Sequence, residues 1–175
     1  YDAYQDFKSE EQYLLECAKL MKLQSWQGFR EKLIALQEEN AQLRKENDAH
    51  KQAALLSSAD TAVQKAETIN GLSCVLLSLD GFDTNSLKAY AENVRNKLVD
   101  GFVFVSNTTD GKVTFVCASS KAAIAKGKKA GDVVKAAAQL TGGNGGGRPD
   151  MAQAGGKDTS KVQEAHVLVR QILAQ

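Results

Sequence analysis

Hydrophobic residues near the start of the chain recur at the spacing of an α-helix. Leu14, Leu15 and Ala18 mark a first helix, the pattern breaks at Gln24, and Ser25 is suited to cap a second helix. A heptad repeat follows, typical of a coiled coil. Its strongly apolar start predicts the residues that pack this helix against a partner: Trp26, Phe29, Leu33, Leu36 and Leu43.

The heptad becomes polar farther along, where Asn40, Asn47 and His50 occupy core positions. Polar residues at such positions cost stability but fix register and oligomeric state. Two compatible arrangements follow. The long helix folds back on residues 8–23 as a hairpin, or it pairs with a second copy of the chain. Alternatively, the two asparagines simply face water.

The pattern changes at Asn70-Gly71, where Gly71 is well placed to cap the end of the helical part. We therefore predict a helical subdomain over residues 1–70 and a globular subdomain over residues 71–175. In the second part, short apolar runs alternate with amphipathic segments. The predicted strands cover 72–79, 102–105 and 112–117, and the predicted helices run from Asp83 or Thr84 to Leu98, over 132–140, and from Val162 onward.

A strand, a helix and a strand followed by a hairpin predict a sheet with both parallel and antiparallel pairs. The fold class is therefore α/β (α+β), a long helical hairpin or coiled coil followed by a small mixed-sheet domain. His166 falls near the inner face of the last helix, where a hydrogen-bonded, partly buried histidine is expected rather than a ligand.

Charge is divided unevenly between the two parts. Residues 1–70 carry nine Lys and Arg against twelve Asp and Glu, and residues 71–175 carry thirteen against nine. The net charges are −3 and +4. Five lysines between positions 121 and 135 accompany a single acid, Asp132. An anionic partner is therefore expected to bind the C-terminal part.

Several classes of function lack support. No run of eighteen apolar residues exists, so a membrane span is not predicted. The three cysteines, Cys17, Cys74 and Cys117, form no CxxC pair, which favours buried, reduced thiols in the cytoplasm. The phosphate-binding motifs GxxxxGK[ST] and GxGxxG are absent. Position 1 is Tyr with no signal peptide after it, which we interpret as a segment of a longer protein.

Residues 142–156 hold seven of the fourteen glycines and the only proline, Pro149. A flexible linker is one interpretation, but the Arg148-Pro149-Asp150 centre and the flanking helices argue against it. Consecutive glycines can aim several N–H groups into one concave nest that suits phosphate, and an arginine adds a bidentate donor. On chemistry alone, anion binding and a purely structural turn are equal alternatives.

The string GGGRPDMAQAGGKD, residues 145–158, resembles the signature of the DHHA1 domain that ends alanyl-tRNA synthetases. The segment from Lys121 to Leu140 resembles the stretch before those glycines, and residues 1–70 resemble the preceding helical subdomain. The resemblance is tight in the glycine segment and loose in the helices. One departure is the bend of the hairpin, where the family often has proline and this chain has residues 23–26.

This resemblance implies a module that binds the elbow region of tRNA-Ala and helps to couple aminoacylation with editing. The implied partners are the catalytic and editing domains of the same polypeptide. In many bacterial members of the family the helical part also mediates dimerisation, so the resemblance implies a homodimer as well. The parent enzyme uses ATP, magnesium and zinc, whereas this chain has no HxxxH pair and is expected to hold no cofactor, metal or catalytic site. The expected RNA-binding residues are Gly145, Gly146, Gly147, Arg148, Gln153, Lys157, Lys121, Lys126, Lys128 and Lys129.

An alternative follows from the same resemblance. DHHA1 domains also close the active sites of DHH-type phosphoesterases, where a similar glycine loop holds the substrate nucleotide. Those enzymes need an aspartate-rich metal-binding domain upstream, and this chain has none. A third hypothesis is a purely structural role: the chain mediates dimerisation, and its glycine segment packs without binding a ligand.

Overall fold

The structure is a computed structural model that describes residues 2–24 and 28–175, with side chains from residue 8 onward. The chain divides into two compact units, residues 1–49 and residues 50–175. No helix within the described ranges is both long and apolar enough to cross a bilayer.

The described residues of the first unit form α1 (Asp2–Leu20) and the beginning of α2 (Phe29–Ser57). The first helix ends near the predicted break, where Leu23 N donates to Ala18 O at 2.9 Å. The predicted cap Ser25 and the predicted packing residue Trp26 lie outside the described residues.

The other predicted packing residues of α2 are only partly covered. Phe29 is half-buried, while Leu33, Leu36 and Leu43 are 41%, 38% and 57% exposed. On α1, Leu14 is 42% exposed as well. The partner that the heptad requires, in a hairpin or in a second copy, therefore stays a prediction.

The second unit begins with the end of α2, followed by α3 (Ala59–Gln64) and a short strand, β1 (Glu67–Ile69). The prediction that Gly71 caps a helix is wrong. Asn70 and Gly71 form the two-residue turn that joins β1 to β2 (Leu72–Asp80), and both have positive φ, 49° and 70°. Two positive φ values match the right-handed twist of paired strands, which is why Asn-Gly favours tight hairpins.

The rest of the second unit consists of α4 (Thr84–Lys97), β3 (Gly101–Thr109), β4 (Lys112–Ser119), α5 (Lys121–Ala125), α6 (Ala130–Leu140), β5 (Asn144–Gly147), β6 (Met151–Gly156), a short 3-10 helix (Thr159–Lys161) and α7 (Val162–Ala174). The strands form a six-stranded sheet of order β1-β2-β3-β4-β6-β5. In this sheet β2 and β3 pair in parallel and the other neighbours pair antiparallel, and α4 makes the crossover between β2 and β3. The predicted mixed sheet is therefore confirmed.

Both faces of the central strands are covered, which explains the apolar run of β3. Phe102 and Phe104 point into a core shared with α6 and α7, and Val103 and Val105 point into a second core shared with α3 and α4. Asp83 caps the N-terminus of α4, because its Oδ1 accepts hydrogen bonds from the amides of residues 85 and 86. The sheet thus holds α4 on one face and α6 on the other, both close to the glycine-rich segment.

Candidate nucleic-acid interface

The glycine-rich segment folds as an antiparallel hairpin at the edge of the sheet. β5 and β6 are joined by a turn, Arg148-Pro149-Asp150, and Gly145 and Gly147 stand opposite Ala154 and Ala152. The predicted nest of consecutive amides is therefore wrong, because neighbouring N–H groups of an extended strand point in opposite directions. The turn and its surroundings have to supply the binding groups instead.

The backbone of this turn is held from two directions. Ser119 N at the end of β4 donates to Asp150 O at 2.9 Å, and Ala130 N at the start of α6 donates to Pro149 O at 2.8 Å. The Arg148 side chain, in contrast, is 76% exposed and is paired with the Asp150 carboxylate at 3.1 Å. An exposed ion pair of this kind contributes about 0–1 kcal/mol, so a phosphate can readily replace the carboxylate.

The N-terminus of α6 lies directly beside the turn. A Cβ atom added to Gly131 would lie 2.8 Å from Gly147 O, so only glycine allows this approach. Lys129 stands at the N-cap position and makes no side-chain capping bond. The first amide of α6, Ala130 N, is already bonded to Pro149 O, and Asp132 stands in the first turn of the helix. The positive charge of this region therefore rests on the exposed Arg148 and the neighbouring lysines.

The lysines predicted to contact RNA differ in whether their ammonium groups are bonded within the domain. Lys128 is 8% exposed and its Nζ donates to Ile172 O at 2.6 Å, while Lys126 Nζ donates to Asn70 O at 2.8 Å. Lys121 and Lys129 are exposed. All four belong to the segment around α5 at the end of the sheet where β6 begins. Their contact with RNA stays a prediction, and Lys121 and Lys129 have the more accessible ammonium groups.

Two other predicted residues lie elsewhere on the domain. Lys157 follows Gly156 at the far end of β6, away from the Arg148 turn. Gln153 is exposed near the middle of β6 and lines a polar groove of about 300 Å³. The other residues of this groove are neutral: Thr84, Thr114, Asn144, Gly145, Ala154 and Gly155. Gly146 has no heavy atom within 4 Å of an added Cβ.

His166 and Cys74 are two titratable groups whose pKa values burial shifts. His166 Nε2 lies 2.8 Å from Ser106 Oγ and the ring packs edge-on against Phe104. Burial, followed by the positive charge of Arg170, lowers the pKa of His166. Burial raises the pKa of the Cys74 thiol to about 11. Within the described ranges, no three metal-ligating side chains gather.

Arg95 is a basic residue of this region that the sequence did not single out. It lies on α4, some fifty residues before the glycine segment, and its NH1 lies 3.4 Å from Asp150 O. Its position in the last turn of an amphipathic helix gave no reason to place it near the turn. Only the pairing of β4 with β6 brings the two together.

Comparisons with known proteins agree with this architecture. Residues 71–175 match the DHHA1 domain. The chain is 39% identical over 163 residues to the alanine–tRNA ligase of Acetivibrio thermocellus, covering 93% of this chain and 18% of the ligase. It is 33% identical over 172 residues to that of Alkaliphilus oremlandii, covering 98% and 19%.

Among solved structures, the C-Ala domain from Aquifex aeolicus alanyl-tRNA synthetase superposes with a TM-score of 0.59 at 28% identity, covering 63% of this chain and 98% of that one. RecJ from Thermus thermophilus shares the fold at 14% identity, with a TM-score of 0.51, covering 71% of this chain and 18% of RecJ. The chain therefore belongs to the DHHA1 domain family. The predicted resemblance to the C-terminal domain of alanyl-tRNA synthetases is confirmed. The chain spans less than a fifth of the length of these ligases.

Proposed function

We propose that this chain is a tRNA-binding module and that the Arg148 turn is the centre of its RNA contact. The observation that carries the proposal is the exposed Arg148 guanidinium on a backbone held by β4 and α6. A fixed backbone limits the entropy lost when the side chain binds. The alanine–tRNA ligases to which the chain is similar make tRNA-Ala the expected RNA.

The chemistry of the turn suits the RNA backbone. The Arg148 guanidinium can form two parallel hydrogen bonds to a phosphate. Lys121 and Lys129 extend the positive potential on the same end of the sheet. The neutral groove beside Gln153 offers amide and hydroxyl groups that suit the edge of an exposed base in the tRNA elbow.

Replacing Arg148 with alanine is expected to weaken binding to a tRNA-Ala transcript by about tenfold at roughly 0.1 M salt, because one phosphate contact is lost. The slope of log affinity against log salt concentration should fall by about one. Fluorescence anisotropy over a salt series measures both quantities.

Lys112→Ala is the matched control, since Lys112 is exposed in the turn region at the opposite end of the sheet. It should keep the affinity of the original chain. Equal affinity and equal slope for Arg148→Ala and the original chain would refute the proposed contact.

Within a whole synthetase, we propose that the module holds the tRNA while its acceptor end moves between the catalytic and editing domains of the same polypeptide. ATP, magnesium and zinc then serve those other domains. The Arg148→Ala change in a full-length enzyme should lower both aminoacylation and deacylation rates at limiting tRNA. A loss confined to one of the two reactions would contradict a shared holding role.

We also propose that the exposed heptad side chains pair two copies of the chain. Leu33, Leu36 and Leu43 lie on one stripe of α2 and are all more than a third exposed. Sedimentation velocity of the chain, compared with the Leu36→Asp variant, tests this pairing. An unchanged sedimentation coefficient between the two at high protein concentration would argue for the hairpin alone.

A further inference from the structure

A basic pocket lies next to the Arg148 turn. It has a volume of about 370 Å³ and opens between the end of α4, the β4–α5 junction and the β5–β6 turn. Two cationic side chains line it, Arg95 from α4 and Lys121 from α5. The other lining residues are Asn96, Leu98, Ser119, Ser120, Ile124 and Asp150.

Arg95 is positioned by neutral groups and by one long ion pair. Its side chain is only 15% exposed, and its NH2 lies 3.4 Å from Glu92 Oε1. Its NH1 lies 3.4 Å from Asp150 O, and its shortest bond, 3.0 Å, goes to the neutral Asn96 amide oxygen. Contacts of 3.4 Å are long for charge-assisted hydrogen bonds, so the guanidinium retains capacity for a better acceptor.

Asp150 connects this pocket to the Arg148 turn. Its carboxylate pairs with Arg148, and its backbone oxygen accepts from Arg95, so the two arginines lie on either side of one residue. The Asp150 and Glu92 charges are each engaged with an arginine, which leaves the Lys121 ammonium as the unbalanced charge of the group. The pocket therefore has a net positive potential continuous with that of the turn.

We propose that this pocket binds a second phosphate of the RNA strand whose neighbouring phosphate is held at Arg148. The proposal rests on the RNA-binding function proposed above and extends it to Arg95 and Lys121. The pocket cations lie beside Arg148 on one surface, and successive cationic groups match the repeating charge of a nucleic-acid backbone. Asn96 and Ser120 provide neutral groups for the adjoining sugar.

The test measures affinity of the full 175-residue chain for a tRNA-Ala transcript over a salt series. Lys121→Gln should weaken binding roughly three- to tenfold at about 0.1 M salt and lower the salt slope by about one. The double change with Arg148→Ala should multiply the two losses and lower the slope by about two, because the phosphates are separate. Arg95→Gln should also weaken binding. Arg95→Lys should bind more tightly than Arg95→Gln but less tightly than the original chain, since Lys retains the charge.

Lys112→Gln, at the far end of the sheet, is the matched control, and thermal unfolding checks that every variant is folded. If Lys121→Gln binds like the original chain while Arg148→Ala is weakened, the second site is refuted and the proposed function stands. If neither Lys121→Gln nor Arg148→Ala alters affinity or slope, both the second site and the proposed function are refuted. A double change no worse than Arg148→Ala alone would place both groups on one phosphate and would overturn the inference.

A separate arm distinguishes RNA phosphate from a free ion. Inorganic phosphate replaces chloride at constant ionic strength while tRNA binding is measured. No displacement beyond that caused by chloride is expected. Displacement that Lys121→Gln abolishes would show a site for free phosphate and would overturn the assignment to the RNA backbone.

Discussion

Replacing Gly145 with alanine should lower the free energy of unfolding by about 2–3 kcal/mol, because the new methyl group has no room. Its Cβ would lie 2.3 Å from both Cα and Cβ of Ala154. Ala154 is 4% exposed and pairs with Gly145 on one side and Phe115 on the other, so it cannot retreat without breaking a strand pairing. Urea denaturation measures the loss, and amide exchange at Asn144 shows whether β5 separates.

Gly146→Ala is a control of identical chemistry one residue away. Its added Cβ would meet nothing within 4 Å, so the unfolding free energy should change by no more than about 0.5 kcal/mol. Equal destabilisation by the two changes would mean that backbone freedom, rather than close packing, requires glycine in β5. Since both residues are also predicted RNA contacts, Gly146→Ala tests that role without disturbing the fold.

Replacing Lys128 with methionine should lower the free energy of unfolding by about 2 kcal/mol, the scale of one hydrogen bond to a charged group. Lys128 is 8% exposed, and its Nζ donates to Ile172 O in the last turn of α7 at 2.6 Å. The last carbonyls of a helix have no partner within the helix, and a cation there also interacts favourably with the helix dipole. Methionine preserves most of the apolar stem but leaves this carbonyl unpaired.

Lys129→Met is the matched control, since the neighbouring Lys129 is exposed. Chemical denaturation of the two variants should show a loss for Lys128 and a change within about 0.5 kcal/mol for Lys129. The reverse order would refute the proposed anchor of α7. Binding of tRNA by the same pair, measured where both are folded, separates a lysine that supports the fold from one that contacts RNA.

At the candidate site, sequence patterns predicted the important segment but not its fold. Residues 142–156 could be identified as the informative segment because glycines, Arg148 and Pro149 stand together in the chain. Their fold as a hairpin could not be predicted, since a strand of glycines has no alternation of apolar and polar side chains to reveal it. Gly71 was misassigned for a related reason, because β1 is only three residues long and pairs through a two-residue turn.

The lysines are a second case in which the sequence predicted only part of what the structure shows. Their charge and clustering between positions 121 and 135 are visible in the sequence and pointed to the C-terminal part. The burial of Lys128 depends on α7, which starts more than thirty residues later. In the same way, Arg95 approaches Asp150 only because the sheet places α4 beside the turn. Local patterns contain no information on such distant pairings.

The sequence by itself determined the family, the mixed sheet and the location of the informative glycine segment, because these depend on local composition, periodicity and one contiguous string. The tertiary structure decided which glycines are required by close packing and which lysines are anchored internally. It also placed Arg95 and Lys121 in one pocket beside Arg148. Those properties depend on contacts between residues far apart in the chain, and such contacts exist only once the strands have paired.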